Sequence, residues 1–169
     1  MKHTRHRAHN QGGWTLLELL VTIIVVAVLT AGVLLLYRQA TGAANTARAE
    51  DLLTSIQASV HEIYADENSY STLDSSVLSG DSLSADRRDP WGGTIHVRPT
   101  AGGHHFTISF GRVPHTACLR LGASPVDGGW TSLSINQVGV YDGTQPPNPG
   151  AVLSACRSAT HDRLTWTSS

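Results

Sequence analysis

The chain has 169 residues, 40% of them hydrophobic and 6% aromatic, and its 12 Lys+Arg against 13 Asp+Glu leave a net charge of −1. That length suits one domain and crowds two, and so little charge excludes an electrostatic nucleic-acid binder and a long disordered polyampholyte. Two cysteines are too few for a disulfide-dense mini-protein or a Cys₄ zinc site. The averages conceal segments of unlike chemistry. Residues 1–13 carry Lys2, Arg5 and Arg7 and no acid. Residues 14–37 are apolar, and from Leu19 to Leu36 they hold no charge. As a helix this stretch is roughly 36 Å long, enough to cross a ~30 Å hydrocarbon core. A buried core helix or the h-region of a secretory signal has a similar composition. The run exceeds most h-regions, however, and no small-x-small cleavage site follows it.

Three cations precede the span, whereas Arg38 and Arg48 beyond it are soon balanced by Glu50 and Asp51. The positive-inside bias keeps the N-terminus cytoplasmic and sends the rest across the membrane. Cys118 and Cys156 then lie in an oxidising compartment, where an even pair is expected to bond; two free buried thiols are the alternative. Residues 38–65 continue the helix. Leu52, Ile56, Val60 and Ile63 recur at helical spacing, with Glu50, Asp51, Gln57, His61 and Glu62 assigned to other faces. No proline interrupts residues 14–65, which predicts one helix of about fifty residues with Gly32 and Gly42 as its weak points.

After Asp66 the period changes. Residues 66–86 are rich in Ser and Asp and read as a loop anchored by Leu73, Val77 and Leu78. Ile95 and Val97 alternate with polar neighbours, as do Phe106, Ile108 and Phe110, and Thr100–Gly103 between them predicts a hairpin turn. Residues 114–121 suit a short helix opening on proline. Leu133–Tyr141 and Arg163–Thr167 are strand candidates, and Thr144–Gly150 is expected to be loop throughout. The fold class expected is α+β: a long N-terminal helix, membrane span first and amphipathic later, against a small antiparallel sheet with a C-terminal disulfide-closed loop.

Glu18 is the one carboxylate inside the apolar run. A charge entering lipid is costly, although the interface and the positive end of a helix dipole both soften the penalty. A third account is a cation on another chain. Cleavage after Gly13 would expose the α-amino group of Trp14, and pairing of that amine with a neighbour's Glu18 would fix axial register.

Residues 12–32, GGWTLLELLVTIIVVAVLTAG, resemble the class III leader of type IV pilins and pseudopilins, in which a short basic leader ends in glycine and glutamate is the fifth mature residue. NSYSTLDSSVLSGDSL, DPWGGTIHVRP, HHFTISFGRVPHTACLRL and ACRSATHDRLTW follow in the order found in PilS-type major pilins, so the resemblance spans nearly the whole chain. Family members usually begin with Phe or Met, and Trp14 departs from that. The resemblance implies a type IV pilin fold with residues 1–13 as cleaved leader, 14–37 as the transmembrane and polymerisation half of the helix, 38–65 as its amphipathic half and 66–169 as a globular head. It assigns Gly13 and Trp14 to prepilin peptidase cleavage, Glu18 and Trp14 to assembly, and Cys118 and Cys156 to the disulfide.

Signatures of other chemistry are missing. The six histidines after the leader form no HExxH or paired-ligand pattern, and there is no GxSxG elbow and no phosphate-cradling loop. Asp81, Asp86 and Asp89 cluster as a calcium site would, without EF-hand spacing, and a solvated face is the better account. No enzyme, cofactor, metal or nucleic-acid partner is expected. The expected function is structural: a type IVb prepilin, held in the inner membrane with its head in the periplasm and then polymerised into an extracellular filament for adhesion or conjugative mating. Its partners are its own copies, the prepilin peptidase and the inner-membrane assembly machinery. The alternative is a pseudopilin of a type II secretion system, which Asp89-Pro90-Trp91-Gly92 resembles.

Overall fold

A computed structural model describes residues 15–74, 88–124, 128–157 and 160–169. The leader, Gly13, Trp14, Val77, Leu78, Asp81 and Asp86 lie outside the described residues. The elements run α1 (Leu16–Ile63), β1 (His96–Pro99), β2 (Phe106–Val113), α2 (His115–Ala123), β3 (Trp130–Ile135), β4 (Val138–Tyr141), α3 (Pro149–Ala155) and β5 (Asp162–Ser168). The chain divides into two compact units, one ending at Ala40 and one running from Thr41 to Ser169.

In the first unit, α1 carries its apolar side chains exposed, from Leu16 at 85% and Leu20 at 53% to Leu35 at 68%. Thr22 and Thr30, the threonines of the helix within this unit, turn inward on the backbone. Thr22 Oγ1 donates to the carbonyls of Glu18 (3.0 Å) and Leu19 (2.8 Å), and Thr30 Oγ1 donates to that of Val26 (2.7 Å). Each hydroxyl is thereby satisfied within the helix, as an apolar surrounding requires. Helix α1 passes Gly32 and Gly42 unbroken for 48 residues.

In the second unit, five antiparallel strands form a sheet in the order β1-β2-β5-β3-β4. The last strand in sequence is therefore the middle strand in space. Residues alternate across the sheet, with Phe106, Ile108 and Phe110 of β2 and Leu164, Trp166 and Ser168 of β5 facing one side. That side meets Ala49, Leu53, Ile56 and Val60 of α1 together with the buried residues of α2 and α3 in one core. Trp166 seats edge-on against Phe110 at 5.2 Å. The β1–β2 hairpin turns at the expected place, where Thr100 N–H donates to His105 O (2.8 Å) and Gly103 N–H to Thr100 O (3.0 Å).

Three expectations are corrected. The buried stripe of α1 is Thr46, Ala49, Leu53, Ile56, Gln57 and Val60, whereas Ile63 is 49% exposed and Leu52 only partly buried. Leu133–Tyr141 is two strands, because Asn136 (φ 50°) and Gln137 (φ 72°) form a tight turn with both residues in the left-handed region. The loop expected through Gly150 ends at Asn148. Its Oδ1 accepts the amides of Gly150 (2.8 Å) and Ala151 (3.4 Å), and Pro149 opens α3.

Candidate functional site

The first feature is the exposed apolar helix with a single acid. Glu18 is exposed on α1 within the first turn. Thr15 precedes the helix, its Oγ1 accepts the Glu18 amide at 3.3 Å, and its carbonyl accepts the Leu19 amide at 3.1 Å. Thr15-x-x-Glu18 is thus the sequence form of a capping box, a signal that a search for charge alone overlooks. The carboxylate sits where the helix dipole favours a negative charge, which removes part of its cost in an apolar medium. What remains asks for a cation. Above it lie some twenty positions whose side chains gain about 1.5–3 kcal/mol each for every large aliphatic removed from water.

The second feature is the tie across the head. Cys118 on α2 and Cys156 at the end of α3 are bonded, with Cα atoms 5.9 Å apart and a separation of 38 positions in sequence. Both are fully buried. In the chain-entropy account a loop of this size contributes about 4 kcal/mol through the unfolded state. The two helices meet closely because Gly122 has no side chain. A methyl group there would lie 2.8 Å from Val152 Cγ1 and 2.9 Å from Ile135 Cδ1. Beside the disulfide, Asp162 is fully buried, and Asn136 Nδ2 donates to its Oδ1 at 2.7 Å. The same amide nitrogen donates to Ala155 O (3.0 Å), while Asn136 Oδ1 accepts the Arg163 amide (2.9 Å). One side chain therefore joins the β3–β4 turn, the end of α3 and the start of β5.

Asp89 has a role different from that of a loop carboxylate. It is 3% exposed, and its Oδ1 accepts the amides of Trp91 (2.9 Å) and Gly93 (2.8 Å). Its Oδ2 accepts the amide of Arg112 (3.2 Å) at the bulge in β2. A side chain at Gly93 would collide with that carboxylate and with the Arg112 backbone. The Asp89–Gly93 turn is therefore a backbone clamp. Gln57 is a second polar residue that apolar periodicity placed on the wrong face. Its Nε2 donates to Gly128 O (2.6 Å) and to Ser168 Oγ (2.9 Å), joining α1 to the central strand. His61 lies near by, with Nε2 at 3.3 Å from Ser168 Oγ and Nδ1 at 3.3 Å from Tyr70 Oη.

Among the described residues, the one compact group of metal-ligating types is Cys118, Cys156 and Asp162. Its sulfurs are bonded to each other and offer no thiolate. His104 and His105 lie in the β1–β2 turn. In the loop after β4, the Thr144 hydroxyl and amide hold the Asp142 carboxyl below its usual range.

Comparisons with known proteins agree with this architecture. A family model described as "PilS N terminal" matches residues 43–169, and one described as "Prokaryotic N-terminal methylation motif" matches residues 8–34. The chain is 29% identical over 122 residues to the "Major structural subunit of bundle-forming pilus" of Escherichia coli O127:H6 and to that of Escherichia coli O111:H-. The match covers 64% of this chain and 62% of each relative. Among solved structures, that of TcpA, a type IV pilin from Vibrio cholerae El Tor biotype, aligns with a TM-score of 0.55 at 14% identity. It covers 74% of this chain and 99% of that one, which is a likeness of fold.

Proposed function

The chain belongs to the PilS N-terminal family of type IVb pilins, and from that membership we propose that it is a prepilin, cut after Gly13 and polymerised through its N-terminal helix into a surface filament. The family is one of structural subunits, not of enzymes. Residues 1–13 are the leader, 14–37 the half-helix that passes from membrane to filament, 38–65 the amphipathic half and 66–169 the head. Before assembly the subunit is a single-pass inner-membrane protein with its leader in the cytoplasm and its head in the periplasm. Afterwards it is extracellular, in a filament serving adhesion or conjugative mating. The relatives' role as major structural subunits supports the same role here.

One observation carries the reading: the exposed apolar half of α1 holds a single carboxylate, four residues beyond Trp14. In a bundle of staggered helices, a neighbour's Trp14 amine would neutralise Glu18 inside an apolar medium. Correct stagger pairs the charges and wrong stagger buries one alone, a difference of about 3–5 kcal/mol. The contact is heterologous and does not close, so it generates a helical fibre. The pseudopilin reading drew on Asp89–Gly92. The clamp made by Asp89 gives that tetrapeptide a structural reason, so it does not favour a secretion piston.

The test is replacement of Gly13 with a bulky residue such as leucine. The expected result is full-length, membrane-retained protein and no filaments. Normal filaments built from uncut chains would overturn the proposal.

A further inference from the structure

The head's sheet has one face covered by helices and another that no described element covers. On this outer face the strand register aligns two rows. Arg98, Thr107, Thr167 and Ser132 form one; His96, Ser109, Thr165 and Ser134 form the other. The hydroxyl residues are half-buried, whereas His96 and Arg98 at the β1 edge are exposed. Arg163, also exposed, continues the same face of β5 beyond Thr165. Neighbouring rows are roughly 6.7 Å apart and neighbouring strands about 4.8 Å. Neither row contains a carboxylate or an aliphatic side chain, and the imidazole of His96 is their one ring.

We propose that this face is a docking surface for an acidic polysaccharide. The hydroxyls are pre-ordered yet not used up. Ser109 Oγ and Thr165 Oγ1 share one hydrogen bond (2.9 Å), and Ser132 Oγ donates to Thr167 Oγ1 (2.9 Å). Each pair consumes one hydroxyl hydrogen and one lone pair, leaving a donor and further acceptors toward solvent. Such a grid matches a polymer that is itself hydroxylated. The cations at its margins select the acidic members of that class. Every basic side chain after the leader except histidine is arginine, whose planar fork grips a carboxylate or sulfate with two parallel bonds. Charge is also segregated within the head. The exposed acids Glu50, Asp51, Glu62, Asp66 and Glu67 lie on α1 or just after it, Asp74 and Asp142 are exposed in loops, and the two rows themselves hold none, although the chain without its leader has nine basic and thirteen acidic side chains.

Other polyanions fit less well. Arg98 and Arg163 stand two strands and four residues apart, roughly 16 Å, too sparse for a duplex with one charge per ~1.7 Å, and the single imidazole of His96 is no series of platforms for successive bases. A lipid surface would require apolar side chains that the face lacks. Two copies of a face bearing only positive charge repel each other. The inference goes beyond the filament reading and does not depend on it, although a filament would multiply weak single-site binding through its repeated copies.

The test uses the full-length chain in detergent, captured densely on beads, so filament assembly plays no part. The probes are polygalacturonate, neutral dextran and a short DNA duplex. The expected result is retention of polygalacturonate over dextran and DNA, weakening above about 0.15 M salt, where the screening length falls below ~8 Å. Arg98→Ala with Arg163→Ala should weaken retention about tenfold, as two exposed ion pairs would. Arg120→Ala, on the exposed side of α2, should leave it unchanged. Ser109→Ala with Thr165→Ala, which keeps both cations, should weaken it about threefold and serves as the readout if the arginine pair fails to accumulate. Absence of polygalacturonate binding at low salt, equal retention of DNA, or the same loss with Arg120→Ala would overturn the inference.

Discussion

Replacing Asp89 with alanine removes one acceptor group and strands three backbone donors, the amides of Trp91, Gly93 and Arg112. An unsatisfied buried donor costs about 1–3 kcal/mol. The Gly93 bond is buried and the other two are partly buried, so water recovers part of their loss. The sum comes to about 3–4 kcal/mol, a large share of the ~5–15 kcal/mol typical of a folded domain. For a head of this size it corresponds to a fall of roughly 10–15 °C in Tm. Asp89→Asn keeps a carbonyl oxygen in place and should cost only about 1–2 kcal/mol. Thermal unfolding of the full chain in detergent, followed by tryptophan fluorescence with the disulfide intact, reads both variants. An alanine variant within ~0.5 kcal/mol of the parent would refute the clamp. So would a stabilisation of the parent by added calcium that the Asp89→Asn variant lacks, since the carboxylate would then be a metal ligand.

The disulfide, the helix contact and the loop after β4 give three further expectations. Cys118→Ser with Cys156→Ser should lower stability by about 2–5 kcal/mol, read as a shift in urea midpoint; an unchanged midpoint would contradict the chain-entropy account. Gly122→Ala should destabilise by about 1 kcal/mol net, because overpacking against Val152 and Ile135 exceeds the gain in helix propensity. The same change in a Val152→Ala background should be less harmful, and strict additivity would show that the two side chains do not meet. Asp142 has a depressed folded-state pKa, so its contribution is present above the ordinary carboxylate range and is lost as pH falls through the folded value. Thr144→Ala, which removes the hydroxyl and keeps the amide, should raise the Asp142 titration midpoint followed by NMR toward the ordinary carboxylate range, and an unmoved midpoint would contradict the assignment.

Much of the architecture is legible because it follows from short-range pattern. The β1–β2 hairpin shows as alternation on both sides of a glycine turn, and the pairing of Cys118 with Cys156 follows from compartment and parity. The phase of α1 is harder to read. Leu52, Ile56 and Val60 recur every four residues, and each such step rotates about 40° around the helix, so a run of them drifts off the buried face. The true face includes Ala49 and Gln57, the latter drawn inward by Gly128 O and Ser168 Oγ. Periodicity counts apolar residues and cannot register a polar one whose partners lie 71 and 111 positions away. Asn136-Gln137 lacks the glycine that usually marks a two-residue turn. Asn148-Pro149 does carry the cap and first-turn signal of a helix, but Pro146 and Pro147 beside it make the stretch read as loop. The central place of β5 rests on long-range pairing that no local signal encodes.

Mass spectrometry of filaments sheared from the cell surface tests the filament reading most directly. The account predicts a chain that begins at Trp14, lacks Lys2, Arg5 and Arg7 and so has nine basic against thirteen acidic side chains, with Cys118 bonded to Cys156. Filaments whose subunits retain the leader, or sheared material from which this chain is absent while it stays uncut in the membrane, would contradict it.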